Sequence, residues 1–138
     1  MNIVLDTNVF MVSLASHSKY HLIYQSLINN VYNLYLSNEI LTEYDEVISE
    51  RLGCEVTDLK LRELLNLKNV HKIEPFYNWQ LIEADPDDNK FADCSIAVGV
   101  DYLVSNDGHF KILKDVPFPL VNVIKAEDFI VILENYKQ

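Results

Sequence analysis

The sequence predicts an α/β domain built on a central parallel sheet with helices flanking it. Short apolar runs rich in β-branched residues alternate with longer stretches of helical periodicity, the pattern of successive strand–helix units. The first of these runs, Ile3-Val4-Leu5, reads as a strand buried on both faces, as in a parallel sheet. A length of 138 residues, 49% of them hydrophobic, fits one domain over 1–138 with a substantial core and argues against disorder.

Ile3-Val4-Leu5 reads as the first strand, ending abruptly at Asp6-Thr7-Asn8, whose polar side chains can bond back to the backbone and cap the helix that starts around Val9. His21 to Val31 carries apolar residues at helical spacing and ends at an asparagine-rich stretch. Leu34-Tyr35-Leu36 is a second strand. Ser37 then caps a helix with Ile40, Tyr44, Val47 and Ile48 as its core stripe. Glu39, Glu43, Glu46 and Glu50 form an acidic stripe on another face, and the helix should stop near Gly53. Thr57 opens a leucine-rich helix running to Leu67.

Val70 to Ile73 is a third strand, closed by Pro75. Phe76 to Ala84 is aromatic-rich and irregular. Asp85-Pro86-Asp87-Asp88 has turn chemistry and leads into a helix from Asn89 to Gly99, with Phe91, Cys94, Ser95 and Val98 on its packed side. Asp101 to Ser105 is a fourth strand, Leu120 to Val123 a fifth, and Ala126 to Tyr136 a closing helix. No linker, repeat or low-complexity segment interrupts the chain.

A formal net charge of −10 argues against a protein that grips phosphates with its whole surface. Bound divalent ions invert local charge, so a metal-using enzyme is compatible with it. No apolar run reaches the ~18 residues of a membrane span, and the N-terminus lacks the basic residues of a signal peptide. The expectation is a soluble, cytoplasmic protein. Cys54 and Cys94 have neither zinc-like spacing nor a disulfide framework and are expected to be buried, reduced thiols.

In an open α/β sheet, ligands bind beyond the carboxyl ends of the strands. Asp6 follows the first strand there and Asp107 the fourth. Glu43 lies one turn into the helix after the second strand, and Asp88 and Asp93 lie where the helix feeding the fourth strand begins. Carboxylates gathered at one edge repel unless cations are present, and oxygen-only ligands suit Mg²⁺ or Mn²⁺. Such a centre can activate water and stabilise an in-line displacement at phosphorus.

Each acid also has a structural reading: helix cap for Asp6 and Asp88, solvated stripe for Glu43, turn residue for Asp107. Asp93, mid-helix and a poor helix former, is harder to explain that way. Five residues at ~100° each separate Asp88 from Asp93 by ~140°, whereas Asn89 and Asp93 share a face. Asp88 reaches the same site only if it precedes the helix, so the third acid is open between the two. His17 and His21 have helical ligand spacing but lack the glutamate of a zincin helix, since Ser18 follows His17. His109, beside Asp107, reads either as a surface residue or as an aid to phosphate binding.

Val4-Leu5-Asp6-Thr7-Asn8-Val9, Ser37-Asn38-Glu39-Ile40-Leu41-Thr42-Glu43-Tyr44 and the stretch from Asp85 through Asp93 to Asp107 together resemble the PIN-domain ribonucleases, especially the small prokaryotic branch of toxin–antitoxin toxins. The resemblance covers nearly the whole chain. It implies a three-layer PIN-like α/β fold with a parallel sheet in order 3-2-1-4-5. It implies that Asp6, Glu43, Asp93 (or Asp88) and Asp107 bind one or two Mg²⁺ or Mn²⁺ ions and carry catalysis. Thr7, Asn8, Ser105 and Asn106 would position substrate or water, with Ser105 standing where relatives often have threonine. The implied activity is endonucleolytic hydrolysis of single-stranded RNA, silenced by a protein antitoxin, with self-association into a homodimer. A haloacid-dehalogenase-type phosphatase would need a second aspartate where Asn8 stands, and an inactive PIN module would be marked by loss of site acids that are all present here.

Overall fold

The structure is a computed structural model and describes residues 1–136. Five parallel strands, β1 (Asn2–Leu5), β2 (Asn33–Leu36), β3 (Val70–Lys72), β4 (Tyr102–Val104) and β5 (Val123–Ile124), form one sheet in the order β3-β2-β1-β4-β5. Six helices flank it: α1 (Thr7–Ser13), α2 (His21–Ile28), α3 (Asn38–Leu52), α4 (Cys54–Leu65), α5 (Asn89–Val98) and α6 (Ala126–Tyr136). Fold class and strand order are those the sequence and the resemblance predict.

β1 is the middle strand because it can be buried on both faces: Ile3, Val4 and Leu5 are wholly inaccessible. The chain builds outward from β1 to β2 and β3, then returns to add β4 on the opposite side of β1. The direction of strand succession therefore reverses between β1 and β4, and a crevice opens beyond their carboxyl ends. α5 lies across β1, β2 and β4, burying Phe91, Ala92, Cys94 and Ser95, and α3 brings Ile40, Tyr44 and Ile48 into the core. The Tyr44 hydroxyl donates to the Leu5 carbonyl, tying α3 to the end of β1. Phe10 stacks on the Tyr44 ring with centroids 4.6 Å apart, which fixes α1 against α3.

Helix ends follow their local chemistry. The Ser37 hydroxyl accepts from the Ile40 amide as the predicted cap of α3. α2 stops before the predicted Val31 because Asn30 takes a left-handed conformation (φ 62°) and the Val31 amide bonds back to Ser26, a Schellman ending. α5 closes at Gly99, also left-handed (φ 71°).

Several expectations are corrected. α4 begins at Cys54, not Thr57: Gly53, at φ 84°, turns the chain sharply, and the Thr57 hydroxyl bonds back to the Gly53 carbonyl from inside the helix. Cys54, on that first turn, is exposed rather than buried, while Cys94 is buried and its thiol is pushed up to about 12 mainly by burial. Leu59 and Leu65 of α4 are exposed. β5 forms at Val123–Ile124 rather than from Leu120, since Pro117 and Pro119 precede it and pairing with β4 begins at the Asn122 carbonyl. Gly108–Asp115 is a 3-10 helical segment, burying Phe110 and Leu113, that the periodicity did not indicate. Among the described residues no helix is long and apolar enough to cross a membrane.

Candidate active site

Asp6 leaves β1 at the reversal point and caps α1: one carboxylate oxygen accepts from the Thr7 amide at 2.8 Å. The other accepts from the Ser105 hydroxyl at 2.7 Å, across from the end of β4. Ser105 in turn receives the Asp107 amide at 3.0 Å, so one buried hydroxyl links the acids that follow β1 and β4. Burial raises the Asp6 carboxyl above its ordinary range, with the negative charges of Glu43 and Asp107 adding to it and the bonds from Ser105 and Thr7 opposing it.

Glu43 comes in from α3 and is held at both oxygens. The Thr7 hydroxyl donates to Oε2, and the Lys90 ammonium lies 2.9 Å from Oε1. Lys90 opens α5, is almost fully enclosed (7% exposed), and also contacts the Asp87 carboxylate at 2.9 Å and the Asp87 carbonyl at 2.9 Å. Three oxygens thus lie 2.9 Å from one ammonium. Burial alone would lower the Lys90 pKa; Glu43 and Asp87 outweigh it, so the net shift is upward, and Lys90 lowers that of Asp87.

Asp88 ends the 3-10 turn Pro86–Asp88, just before α5 begins. Its carboxyl is pushed up to about 6, first by burial and then by Asp85, with Asp107 and Asp6 adding to the repulsion and His109 opposing it. The Nδ1 of His109 lies 3.3 Å from Asp88, 3.3 Å from Asp107 and 3.8 Å from Asp85. The His109 amide donates to Asp107 at 2.9 Å, which fixes the first turn of the 3-10 segment. Asp85, Asp88 and His109 each present one donor atom within 4.8 Å of the others, a spacing that a metal ion fits.

The structure thus brings Asp6, Glu43, Asp88 and Asp107 to one edge. Asp93 is engaged differently: its carboxylate accepts from the Trp79 amide at 3.0 Å and lines a small cavity with Glu39, Glu74 and Lys90. Burial raises the Asp93 carboxyl too, but its charged neighbour is Glu39 rather than Asp6. Of the predicted positioning residues, Thr7 and Ser105 are buried within the carboxylate network. Asn8 is exposed on the first turn of α1, and the Asn106 side chain accepts from the Ala126 amide at 3.0 Å, at the start of α6. Lys90, Asp85 and Asp87 lie within the stretch that carries the family resemblance, but the sequence reading assigned none of them to the site. Only the i,i+3 spacing of Asp87 and Lys90 offered a signal. The Nδ1 of His21 lies 2.8 Å from the Ser13 carbonyl.

Comparison with solved structures gives VapBC2 from Rickettsia felis bound to a DNA fragment from their promoter, with a TM-score of 0.63, 22% identity, and coverage of 91% of this chain and 98% of that one. The T. brucei RRP44 PIN domain follows with a TM-score of 0.53, 12% identity, and coverage of 98% and 82%. At these identities both likenesses concern the fold. No curated protein matches the sequence. The PIN domain family profile matches residues 2–109, a span that includes Asp6, Glu43, Asp88 and Asp107, and the chain belongs to the PIN-domain family.

Proposed function

We propose that this protein is a Mg²⁺- or Mn²⁺-dependent endoribonuclease that cuts single-stranded RNA and serves as the toxin of a toxin–antitoxin pair. In this reading 1–138 is a single cytoplasmic catalytic domain that pairs with itself and is restrained by an antitoxin protein. The observation that carries it is the convergence of Asp6, Glu43, Asp88 and Asp107 at the point where strand order reverses. PIN-family membership supports a nuclease, and the VapBC2 complex supports an antitoxin partner.

The carboxylates suit a hard divalent ion, which supplies charge neutralisation at the phosphate and lowers the pKa of a bound water. Asp6, Asp88 and Asp107 would hold the ion, with Glu43 as the fourth acid and Asp85 and His109 beside them. In this reading the third acid is Asp88, not Asp93. Ser105 orients Asp6, and Thr7 and Lys90 orient Glu43, the role that residues behind metal ligands play.

The test is cleavage of a single-stranded RNA by purified protein with Mg²⁺ or Mn²⁺, stopped by a chelator. Asp6→Asn and Asp107→Asn should each lose about 10²-fold or more in rate, the scale of losing a ligand charge. Full activity in Asp6→Asn preparations would assign the cleavage to a contaminating nuclease. The antitoxin half is tested by co-expression with the product of the adjacent gene, followed by size-exclusion chromatography and a growth assay. Phe76 and Tyr77, strongly exposed beside Trp79, and Leu59 and Leu65 of α4 offer apolar surface for the homodimer or the antitoxin. An arginine from the partner, paired with the carboxylates, would replace the metal's charge.

A further inference from the structure

The carboxylate centre has no surplus positive charge to offer an RNA strand: Lys90 is enclosed and lies 2.9 Å from oxygens of both Glu43 and Asp87. Next to Asp107 the surface gathers lysines. A cleft of about 510 Å³, within the ~300–1,000 Å³ range of ligand sites, runs from Ser105 and Asp107 between the 3-10 segment and β5, walled by Lys111, Lys114 and Lys125, with Asp128 the one acid besides Asp107 in its lining. The chain has only 11 lysines and arginines against 21 acids, so three lysines against two aspartates in one cleft run counter to its overall charge. All three are exposed, and among the described residues none makes an ion pair, whereas Lys19, Lys60 and Lys90 do. Val123 and Ile124, both half-buried, give the cleft an apolar floor.

Unpaired ammonium groups over an apolar floor match the chemistry of a nucleic-acid single strand, with phosphates on the lysines and a base or ribose below. We infer that the Lys111–Lys114–Lys125 cleft is the track for the phosphodiester backbone on the Asp107 side of the scissile bond. The inference rests on the nuclease reading and deepens it by assigning where the strand lies. Flexible lysines without planar, bidentate donors bind phosphate as point charges and read no base, so the track holds RNA without regard to sequence.

The experiment uses a fluorescein-labelled RNA oligonucleotide and anisotropy over a range of KCl, in an Asp6→Asn background that prevents cutting. Each lysine–phosphate contact on a single strand contributes about 0.7 to the slope of log K against log salt. Changing Lys111, Lys114 and Lys125 together to Gln should weaken binding at low salt at least about tenfold and flatten the slope by about 2. With Asp6 intact, the triple variant should show a raised KM on the oligonucleotide. Its rate on bis-p-nitrophenyl phosphate, which has no flanking phosphates to rest on the lysines, should fall far less than its rate on the oligonucleotide. Because the three side chains are exposed, melting temperatures should match. Unchanged affinity and slope in the triple variant, in a parent that binds and cuts RNA, would overturn the track alone. A parent that neither binds nor cuts RNA overturns the nuclease reading and the track with it.

Discussion

Two aspartates five positions apart in one acidic stretch came out of the sequence as equals, and the structure separates them by where the helix starts. Asp88 ends a 3-10 turn and faces Asp6 and Asp107, whereas Asp93, inside α5, holds the Trp79 amide. A measurable difference follows. The Asp88 carboxyl is raised to about 6 in the fold, so the native state holds a proton there that the unfolded chain releases nearer 3.8. Its contribution to stability is complete below the unfolded value and is lost as pH rises through about 6. At pH 7.5 the metal-free protein therefore carries a repelled, half-desolvated carboxylate. Asp88→Asn should melt about 3 °C or more above the parent in chelator at pH 7.5, with the gap closing at pH 4. Mg²⁺ should then stabilise the parent and leave Asp88→Asn nearly unmoved. An advantage of the variant that persists at pH 4 would mean that charge repulsion is not its source.

At the level of elements, strand–helix alternation was legible because burial on both faces leaves a distinctive apolar run, as at Ile3-Val4-Leu5. The shared face of Asn89 and Asp93 was legible too, from helical spacing alone. What that face meets was not, because it depends on how the irregular 76–84 segment folds back over α5. The Asn89 side chain accepts from the Ile82 amide at 2.9 Å and donates to its carbonyl at 3.1 Å, while Asp93 takes the Trp79 amide. Two side chains one turn apart thus stand in for a strand partner and pin a segment with no ladder of its own. Asn89→Ala removes both bonds to Ile82 and leaves polar backbone unpartnered beside a buried side chain. Denaturant unfolding should show a loss of about 1–3 kcal/mol, and limited proteolysis should cut faster between 76 and 84. The metal response should persist, because the carboxylates that converge on Asp6 do not use Asn89. Unaltered proteolysis with full stability would mean that Trp79 and Phe118, whose ring centroids are 6.2 Å apart, hold the segment without it.

On the scale of the whole molecule, two kinds of negative charge are superposed: a diffuse excess that makes the chain −10, and a concentrated knot where strand order reverses. The first was plain in the composition. The location of the second was legible as far as acids at strand ends can show it. Its internal cation, Lys90, was hidden because its partner Glu43 lies on a different helix and nothing local marks the pair. The two kinds of charge respond differently to salt. Diffuse repulsion is relieved by any ion through screening, according to ionic strength. A knot of converging carboxylates is relieved by an ion that enters it, according to site affinity. About 5 mM MgCl₂ and about 15 mM NaCl have the same ionic strength and screen the surface alike. The parent should melt several degrees higher in the first than in the second, and the difference should vanish when Asp6 and Asp107 are both changed to Asn. The response to NaCl alone should be the same in parent and double variant, since eight of the ten excess charges lie outside the substitution. Equal melting of the parent in the two salts would show that its negative charge is only diffuse, and would remove the reason for placing a metal at the crevice.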